Sequence, residues 1–393
     1  MKLNLPLLAL ALGAFGIGVT EFSPMGMLSV IAGDLDVSIP TAGVLISAYA
    51  FGVVIGAPIM TLGFARMSRR NLLLLSMSIF TVGNLISAVA DSYSSLLLGR
   101  IITSFNHRAF FGIGAVVATQ LVPPEKQASA VAAMFSGLTI ANIGGVPMAT
   151  YVSEVMGWRT AFMGMTIIGV ATLIALRLSL PRLEADTSDS IKNELKVLTK
   201  GSVLFALLLT VVGSSSMFTV FSYISPILLE ETKADALFVS SMLVLYGLGL
   251  AAGNWLAGRY ADRNLLGTLV ISMAATMILL VIFAATMQVI WVIPVLIFLW
   301  GISSFAVVPP LQALVVSEAK GAPNLASSMN IAAFNLGNAS GAALGGSVIY
   351  LGWGLPAVAL AGAATSAAGL LLVLLYRKQS KRSKDPTTLS PQS

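Results

Sequence analysis

Long apolar segments alternate with short polar ones from the first residues of the chain almost to its end. A helix that crosses a membrane needs roughly 20 mostly apolar residues. On this criterion the pattern predicts an all-α membrane protein with twelve spans. We number them spans 1 to 12 and place them at residues 5–30, 41–64, 71–91, 94–118, 128–153, 158–180, 202–228, 237–258, 266–286, 289–313, 324–348 and 353–376.

One polar stretch is longer than the others and lies at the middle of the chain. It separates six spans from six, so we predict an N-terminal half at 1–180, a cytoplasmic linker at 181–201 and a C-terminal half at 202–376. The residues after Tyr376 are basic and contain Ser and Pro. Because such a composition cannot bury much apolar surface, we predict a disordered basic cytoplasmic tail at 377–393.

The composition agrees with a surface that faces lipid. Of the 393 residues, 57% are hydrophobic and 10% are charged, whereas soluble domains carry about 25% charged residues. The net charge of +6 does not indicate a nucleic-acid partner, because the cations lie in short loops beside apolar segments. The chain has no cysteine, which excludes disulfides and thiolate-bound metals. A single histidine, His107, cannot build a His-rich metal site, and we expect no cofactor.

Lysine and arginine fall almost entirely on one side of the predicted membrane. If the amino terminus is cytoplasmic, 18 of the 22 basic residues lie in cytoplasmic segments. The opposite side holds only Arg159 and Lys233, and Arg100 and Arg108 lie within span 4. Cytoplasmic loops of membrane proteins carry an excess of Lys and Arg. The distribution therefore predicts that both termini are cytoplasmic.

The two halves resemble each other at matching positions. Gly52 and Gly56 of span 2 correspond to Gly249 and Gly253 of span 8 at an offset of 197, and Asn142 of span 5 corresponds to Asn335 of span 11 at an offset of 193. Both offsets are close to half the chain length. The matches favour a duplication, which is a known plan for transporters with a site between two parallel repeats.

Three ionisable residues within the spans are candidates for chemistry, since charges inside a membrane are costly and often functional. Glu21 is the one acid that the pattern places deep in a span. Burial favours the neutral form of a carboxyl and a nearby cation favours the ionised form, so such a group can exchange a proton. Arg100 and His107 are two turns apart on one helix face, which we expect to line a cavity near Glu21. The alternatives are a structural ion pair for Glu21 and a backbone hydrogen bond for His107.

Motifs distributed over the whole chain resemble those of the major facilitator superfamily. The resemblance is to its twelve-span drug/proton antiporters, in the bacterial branch of sugar-efflux and arabinose-efflux-like inner membrane transport proteins. The residues that carry it are Gly18 to Phe22 with Met25-Gly26, Arg69-Arg70, Gly99-Arg100, Asn106-His107 with Ala109 to Gly112, Gly137 to Pro147, Trp158-Arg159 with Phe162, and Gly258 to Arg263.

The resemblance implies two pseudo-symmetric six-helix halves and roles for several residues. It links Arg100 to proton coupling. His107, by the chemistry of its imidazole, could relay a proton or hydrogen-bond a hydroxylated substrate. The resemblance also implies an antiporter-type helix in span 5, carried by Gly137, Gly144, Gly145 and Pro147. The loops after spans 2 and 8 are expected to gate the transporter through Arg66, Arg69, Arg70, Gly258, Asp262 and Arg263; the alternative for the arginines is anchoring at the membrane surface.

Arg108 departs from the pattern of the family, whose members have glycine after this histidine. Arg108 lies about 100° around the helix from His107. We expect it either to bias the transporter toward one facing state or impair it, or to be tolerated through a pair with Glu21.

Neutral polar and aromatic residues within the spans are candidates to line the substrate cavity: Asn142, Phe218, Tyr223, Trp300, Gln312, Asn330 and Asn335. A helix–helix hydrogen bond is the alternative for each of them. Such a lining suits a sugar-like or amphipathic neutral solute better than a polyanion.

The sequence predicts a secondary active transporter and not an enzyme. We expect a monomer in the bacterial inner membrane that exchanges protons for a small solute, such as a sugar or a drug-like compound, by alternating access. The alternatives are a proton-coupled importer, and a channel or non-transporting scaffold. No nucleophile–base pair, metal cluster or Walker-type phosphate loop is apparent.

Overall fold

A computed structural model of the chain describes residues 4–64, 67–181, 200–319 and 323–382. Arg66 of the predicted gating loop and most of the predicted linker, 182–199, lie outside the described residues. Everything described between the loops is helical, and no strand occurs in these ranges.

The helices of the N-terminal half account for spans 1 to 6. Span 1 comprises Leu5–Gly26 and the short Leu28–Asp34, and spans 2, 3 and 4 are Ile39–Gly63, Arg69–Ala88 and Tyr93–Gln120. Span 5 consists of Gln127–Ile140, a π-helical segment at Ala141–Gly145, and Val146–Met156; a 3₁₀ turn at Pro124–Lys126 precedes it. Span 6 is Trp158–Ser179.

The C-terminal half repeats this order. Span 7 comprises Gly201–Phe221, Ile224–Pro226 and a π-helical segment at Ile227–Glu231. Spans 8 and 9 form one continuous helix, Ala236–Thr286, which is kinked at Asn264. Span 10 comprises Ile293–Phe305 and Val308–Glu318, span 11 is Pro323–Tyr350, and span 12 is Leu355–Arg382.

Ten helical segments among the described residues are long and apolar enough to cross a membrane. One of these is the 51-residue helix, which at about 1.5 Å per residue is more than twice the thickness of a hydrocarbon core of about 30 Å. It therefore accounts for two spans. Span 11 is not among the ten segments because Gly, Ser and Asn occupy many of its positions and make it less apolar than the others. The architecture is twelve spans, as predicted.

Helix boundaries follow from local chemistry. Ser38, Ser68, Ser92 and Asp235 each accept a hydrogen bond from a backbone N–H in the first turn of the helix that follows, which satisfies donors that have no partner within the helix. Spans 5 and 6 meet at Gly157, whose φ of 86° is open to glycine at little cost.

Both π-helical segments adjoin a proline. Val146 donates to the carbonyl of Ala141, five residues back, immediately before Pro147. Thr232 donates to the carbonyl of Ile227 in the same way, shortly after Pro226. Proline cannot donate a backbone hydrogen bond and its ring crowds the carbonyl four residues earlier. The widened turn before Pro147 accommodates this loss without ending the helix. Before Pro226 the helix is instead interrupted at residues 222–223, and the π-helical turn follows the proline.

The two halves meet on an axis that relates them. Phe22 stacks on Phe218 with ring centroids 6.2 Å apart, and Ser225 Oγ lies 3.4 Å from Ser29 Oγ. Each of these pairs is separated by 196 residues, which lies within the range of offsets seen in the sequence duplication. Residues related by a two-fold axis contact their own counterparts only where the axis passes. The interface therefore follows the duplication.

The apolar cores of the halves merge at one end only. A single cluster combines N-terminal residues such as Met25, Leu28 and Ile46 with C-terminal residues such as Phe221 and Leu243. These residues lie toward the ends of the spans opposite the chain termini. At the other end the clusters around Leu72 and Leu311 each belong to one half. The halves are thus packed together at the end distant from the termini.

Span 12 differs from its predicted boundary. The helix continues to Arg382, into the segment 377–393 that we predicted to be a disordered tail. Basic side chains near a helix C-terminus interact favourably with the helix dipole, and those of 377–382 extend the helix beyond the apolar segment. Residues 383–393 lie outside the described part of the chain.

Candidate functional site

Glu21 is buried at the middle of span 1, with 4% of its surface exposed. Small and polar residues surround this part of the helix: Gly18 packs against Leu138 and Ala141 of span 5, and Thr20 Oγ1 donates to Asn84 Oδ1 of span 3 over 3.3 Å. A buried carboxylate requires a compensating partner. The partner comes from span 4.

His107 is the nearest cationic candidate to Glu21. Its Nδ1 lies 3.6 Å from Glu21 Oε2 and 3.4 Å from the hydroxyl oxygen of Tyr49. A neutral imidazole carries its proton on one ring nitrogen, and the neighbouring groups select which. When Nδ1 holds the proton it faces the Glu21 carboxylate; without that proton it accepts from Tyr49 or from protonated Glu21. At 3.6 Å the two groups are within ion-pair distance, and a closer approach would bring them within the hydrogen-bond distance that proton transfer requires.

Arg100 is buried beside the same group, and no described carboxylate lies within 4.0 Å of its guanidinium. Its Nη1 donates to the backbone carbonyl of Thr20 over 2.7 Å, and its guanidinium lies over the Tyr49 ring at 4.2 Å. Its Nε and Nη2 have no hydrogen-bond partner among the described residues. Leaving charged donors buried and unpaired costs free energy. This conformation therefore leaves capacity on Arg100 for a further anionic or polar partner.

Tyr49 of span 2 joins the cluster, although the sequence analysis did not select it. It is 1% exposed, and it contacts both Arg100 and His107. One signal for it exists in the sequence. Tyr49 precedes Gly52 by three residues, as Tyr246 precedes Gly249, so the two tyrosines occupy equivalent positions of the duplication at the same offset of 197.

In the C-terminal half the equivalent position carries an aromatic cluster in place of charges. Tyr246 lies 4.6 Å from both Phe221 and Trp300, centroid to centroid, and Trp300 also contacts Phe283. Trp300 Nε1 is buried without a hydrogen-bond partner among the described residues, and the Tyr246 hydroxyl interacts with Ser304. The duplicated scaffold thus holds ionisable groups in one half, and aromatic faces with an unpaired indole N–H in the other.

Phe218 links the two clusters, because Phe22, the residue after Glu21, stacks on it across the interface. Asn335 of span 11 also keeps an unpaired, buried Oδ1. Of the candidates for the substrate cavity, Phe218 therefore lies at the interface between the halves, and Asn335 offers a polar atom without a partner among the described residues. Trp300 is the third candidate of this kind.

Other cavity candidates are engaged in structural contacts. Gln312 and Asn330 bond to each other over 2.7 Å, and Asn330 accepts from Thr210 over 2.6 Å. Tyr223 donates to the carbonyl of Ala342 over 2.8 Å. Asn142 donates to Leu138 within its own helix over 3.0 Å. For these residues the helix–helix or helix–backbone hydrogen bond is the contact in this conformation.

Arg108 is partly buried on span 4, and no hydrogen bond or ion pair joins it to a described residue. The expected pair with Glu21 is absent, since His107 is the basic group within ion-pair distance of that carboxyl. The structure offers no described contact that compensates the Arg108 charge.

The predicted gating residues are divided between structural and exposed positions. Arg70 donates to the carbonyl of Arg177 at the end of span 6, which ties two spans of the same half together. Arg69 begins the helix of span 3. Asp262 and Arg263 are exposed at the end of span 8, Gly258 has open space around it, and Asp262 makes no ion pair with a described residue.

The glycines of span 5 have unequal surroundings. A Cβ on Gly137 would lie 2.0 Å from the carbonyl oxygen of Ala11, and one on Gly145 would lie 2.4 Å from Val19 Cγ2. A Cβ on Gly144 would meet no described atom of another helix within 4 Å. Two of the three glycines therefore permit close packing against span 1.

Comparisons with known proteins agree with this architecture. The profile of the Major Facilitator Superfamily matches residues 10–329 and 207–392. The chain is 52% identical over 380 residues to the inner membrane transport protein YdhP of Escherichia coli strain K12, covering 96% of this chain and 98% of that protein. It is 31% identical to a chloramphenicol resistance protein of Streptomyces lividans, over 86% of this chain and 87% of the other.

Among solved structures, a D-xylose-proton symporter matches with a TM-score of 0.76. The match covers 93% of this chain and 96% of the symporter at 16% sequence identity. At this identity the similarity concerns the fold alone. It confirms the all-α architecture of two six-helix halves.

Proposed function

The chain belongs to the Major Facilitator Superfamily, and from this premise we propose that it exports a small neutral solute in exchange for protons. The family membership establishes a multi-pass membrane transporter, and transporters of this family are not enzymes. The observation that carries the finer proposal is the cluster of Glu21, His107, Tyr49 and Arg100 between spans 1, 2 and 4.

Glu21 is the proton-binding group of this proposal. His107 Nδ1, 3.6 Å away, can deliver or accept the proton once the two side chains approach to hydrogen-bond distance. The attraction between the Arg100 guanidinium and Glu21 depends on whether the carboxyl is ionised. Since Arg100 has two unpaired donors here, a movement that brings it to the Glu21 carboxylate would displace the proton. Proton release and conformational change are then coupled through one electrostatic contact.

The closed end of the interface supports alternating access. Contacts such as Ser29 with Ser225 and Phe22 with Phe218 hold the halves together away from the termini. With both termini cytoplasmic, as the charge distribution predicts, this conformation is closed to the outside. Asp262, exposed here, is the candidate for an ion pair that forms when the cytoplasmic end closes.

The solute class follows from the chemistry near the interface. Trp300, Phe218 and Asn335 of the C-terminal half provide aromatic faces and an amide oxygen that has no hydrogen-bond partner among the described residues. Aromatic faces with a few hydrogen-bonding groups suit sugars and amphipathic neutral molecules. A relative that is named a chloramphenicol resistance protein favours export.

Transport into inverted membrane vesicles tests the proposal. Vesicles with an acidic interior are mixed with radiolabelled D-xylose, L-arabinose or chloramphenicol, and uptake is followed. We expect at least one solute to accumulate while the gradient lasts, since uptake into an inverted vesicle corresponds to export. Glu21→Gln should lose this gradient-driven accumulation, whereas Glu125→Gln, in an exposed turn, should keep it.

Each alternative has its own outcome. Gradient-driven release from the same vesicles would indicate an importer. Equilibration that ignores the gradient would indicate a channel, and full accumulation by Glu21→Gln would overturn the assignment of the proton to this residue.

A further inference from the structure

A groove of about 790 Å³ lies on the outer face of the C-terminal half, between spans 8, 9 and 10. Its depth comes from small side chains at its base: Ala257, Gly267, Ser272, Ala275 and Ser303. Large apolar side chains form its walls, and Ile271, Ile278 and Leu299 expose 71%, 52% and 41% of their surfaces. These exposed residues face away from the interface between the halves.

The groove follows the helix axis of span 9. Its lining residues on this span run from Gly267 to Leu279 in steps of three or four, which is one face of a helix about 18 Å long. Half of a hydrocarbon core of about 30 Å is about 15 Å. The groove therefore has the length of one acyl chain within a single leaflet.

Polar groups occupy one end of the groove. Tyr260, Arg263 and Asn264 line it where spans 8 and 9 meet, at the end of the molecule that carries the chain termini. Arg263 is exposed and has no ion pair with a described residue. Asn264 leaves the helical conformation, with φ −154° and ψ 83°, and its Oδ1 accepts from Gly267 N–H over 2.9 Å. Its amide nitrogen is left available to a ligand.

We propose that this groove binds one anionic glycerophospholipid, with an acyl chain along span 9 and the phosphate on Arg263. A guanidinium pairs with phosphate through two parallel hydrogen bonds. No acidic residue lines the groove, so the ammonium of a zwitterionic headgroup has no carboxylate partner within it. Asp262 lies next to Arg263 in the chain but about 100° around the helix.

The site is separate from the proposed proton and solute pathway. Glu21, His107 and Arg100 belong to the N-terminal half. Trp300 is about 100° around the helix of span 10 from Leu299, is buried with 2% of its surface exposed, and does not line the groove. The lipid would instead hold together the two helices that meet at the kink of Asn264. Its effect would be on the packing of spans 8 to 10.

Mass spectrometry of the intact, detergent-solubilised protein tests the proposal. The full chain is titrated with phosphatidylglycerol, with phosphatidylethanolamine of the same chains, and with glycerol phosphate. We expect one phosphatidylglycerol molecule to bind at least several-fold more tightly than phosphatidylethanolamine, and glycerol phosphate not to compete at equal concentration. Arg263→Gln should weaken this binding about tenfold, consistent with losing a charge-assisted pair.

Two further variants separate the groove from general lipid adhesion. Ala275→Phe fills the groove and should prevent the tight binding, whereas Val281→Phe, on an exposed face of the same span outside the groove, should not. Arg259→Gln removes an exposed charge from span 8 that does not line the groove and should leave the binding unchanged. Thermal unfolding of each variant identifies those that fail to fold.

Three results would overturn the proposal. These are equal affinity for the two lipids, equal loss of binding in Arg259→Gln and Arg263→Gln, and retention of tight binding by folded Ala275→Phe. Displacement of the lipid by D-xylose or chloramphenicol would assign the groove to the transported solute.

Discussion

Tyr49 contacts both of the basic side chains that lie near Glu21. Its hydroxyl contacts His107 Nδ1 at 3.4 Å, while the Tyr49 ring supports the Arg100 guanidinium at 4.2 Å. A phenylalanine at this position keeps the ring and loses the hydroxyl. The two contributions can therefore be separated by one substitution.

We predict that Tyr49→Phe lowers gradient-driven export several-fold and displaces its pH dependence, because His107 loses the partner that orients it. A single hydrogen bond contributes about 1 kcal/mol, so the protein should remain folded. Export rates measured between pH 5 and pH 8 test this. The control is Tyr151→Phe, on an exposed face of span 5, and an unaltered pH profile in Tyr49→Phe would contradict the positioning role.

Asp34, the last residue of the short helix Leu28–Asp34 that follows the membrane-spanning segment Leu5–Gly26, carries a pH-dependent contact. Hydrogen bonds from Arg159 Nη1 at 2.6 Å and from Trp158 Nε1 at 3.0 Å hold the pKa of Asp34 below its usual value. A carboxyl whose pKa is lowered by folding contributes stability above the unfolded-state pKa of about 3.9, and this contribution is lost as the pH falls through the folded-state pKa.

Asp34→Asn should therefore lower the free energy of unfolding at pH 7 and have a smaller effect near pH 3. Since Asp34 and Arg159 are both partly exposed, 44% and 38% at the side chain, the difference should not exceed about 1 kcal/mol. Thermal unfolding in detergent at both pH values measures it. A deficit for Asp34→Asn that is the same at both pH values would rule out the linkage.

At the level of the helix, span 5 depends on two close approaches to span 1. The positions assumed by Gly137 and Gly145 leave no room for a Cβ, while Gly144 between them has open space. The π-helical turn at Ala141–Gly145 accounts for this arrangement, because one extra residue in a turn rotates the side chains that follow. Neighbouring glycines consequently face different surroundings.

Gly145→Ala should destabilise the protein by about 1–3 kcal/mol, the usual cost of forcing an atom into a packed contact. Gly144→Ala should be neutral or slightly stabilising, since alanine has the higher helix propensity by up to about 1 kcal/mol. The midpoints of thermal unfolding of the two variants give the comparison. Equal midpoints would show that the contact with Val19 relaxes without cost.

For the molecule as a whole, a single charge can shift the equilibrium between the inward-facing and outward-facing conformations. Arg108 carries its charge on span 4 next to His107, without a described partner. A charge that lacks compensation in one state favours any other state in which water or an anion reaches it. We therefore retain the proposal that Arg108 biases the conformational equilibrium.

We predict that Arg108→Gly changes both export and the distribution of states. The chain contains no cysteine, so Val155→Cys and Leu237→Cys, both exposed at the ends of spans 5 and 8, can carry spin labels across the interface. The distance distribution should shift between the parent and Arg108→Gly. Arg108→Ala separates the loss of charge from the weaker helix propensity of glycine, and unchanged distances with unchanged export would exclude a bias.

The class of the protein and the order of its spans were accessible from the sequence because the bilayer imposes a local rule. Each span must be about 20 apolar residues long, and cations collect on one side, so hydropathy and charge suffice. The duplication could be recognised because matching residues recur at a constant offset. A repeated sequence folds into repeated helices, and the contact between Phe22 and its counterpart Phe218 follows from that repeat. Glu21, Arg100 and His107 were identifiable because ionisable residues stand out in apolar segments.

The partners of these residues were decided by tertiary structure. The rotation of three or four helices against one another decides which side chains meet. It brings Tyr49 to His107 and Gln312 to Asn330, and it does not pair Arg108 with Glu21. The groove on spans 8 to 10 depends on the same rotations. Hydropathy is similar on most faces of a buried membrane helix. The hydropathy pattern therefore predicts the length of each span but not its rotation about its own axis. The packing of small residues fixes that rotation.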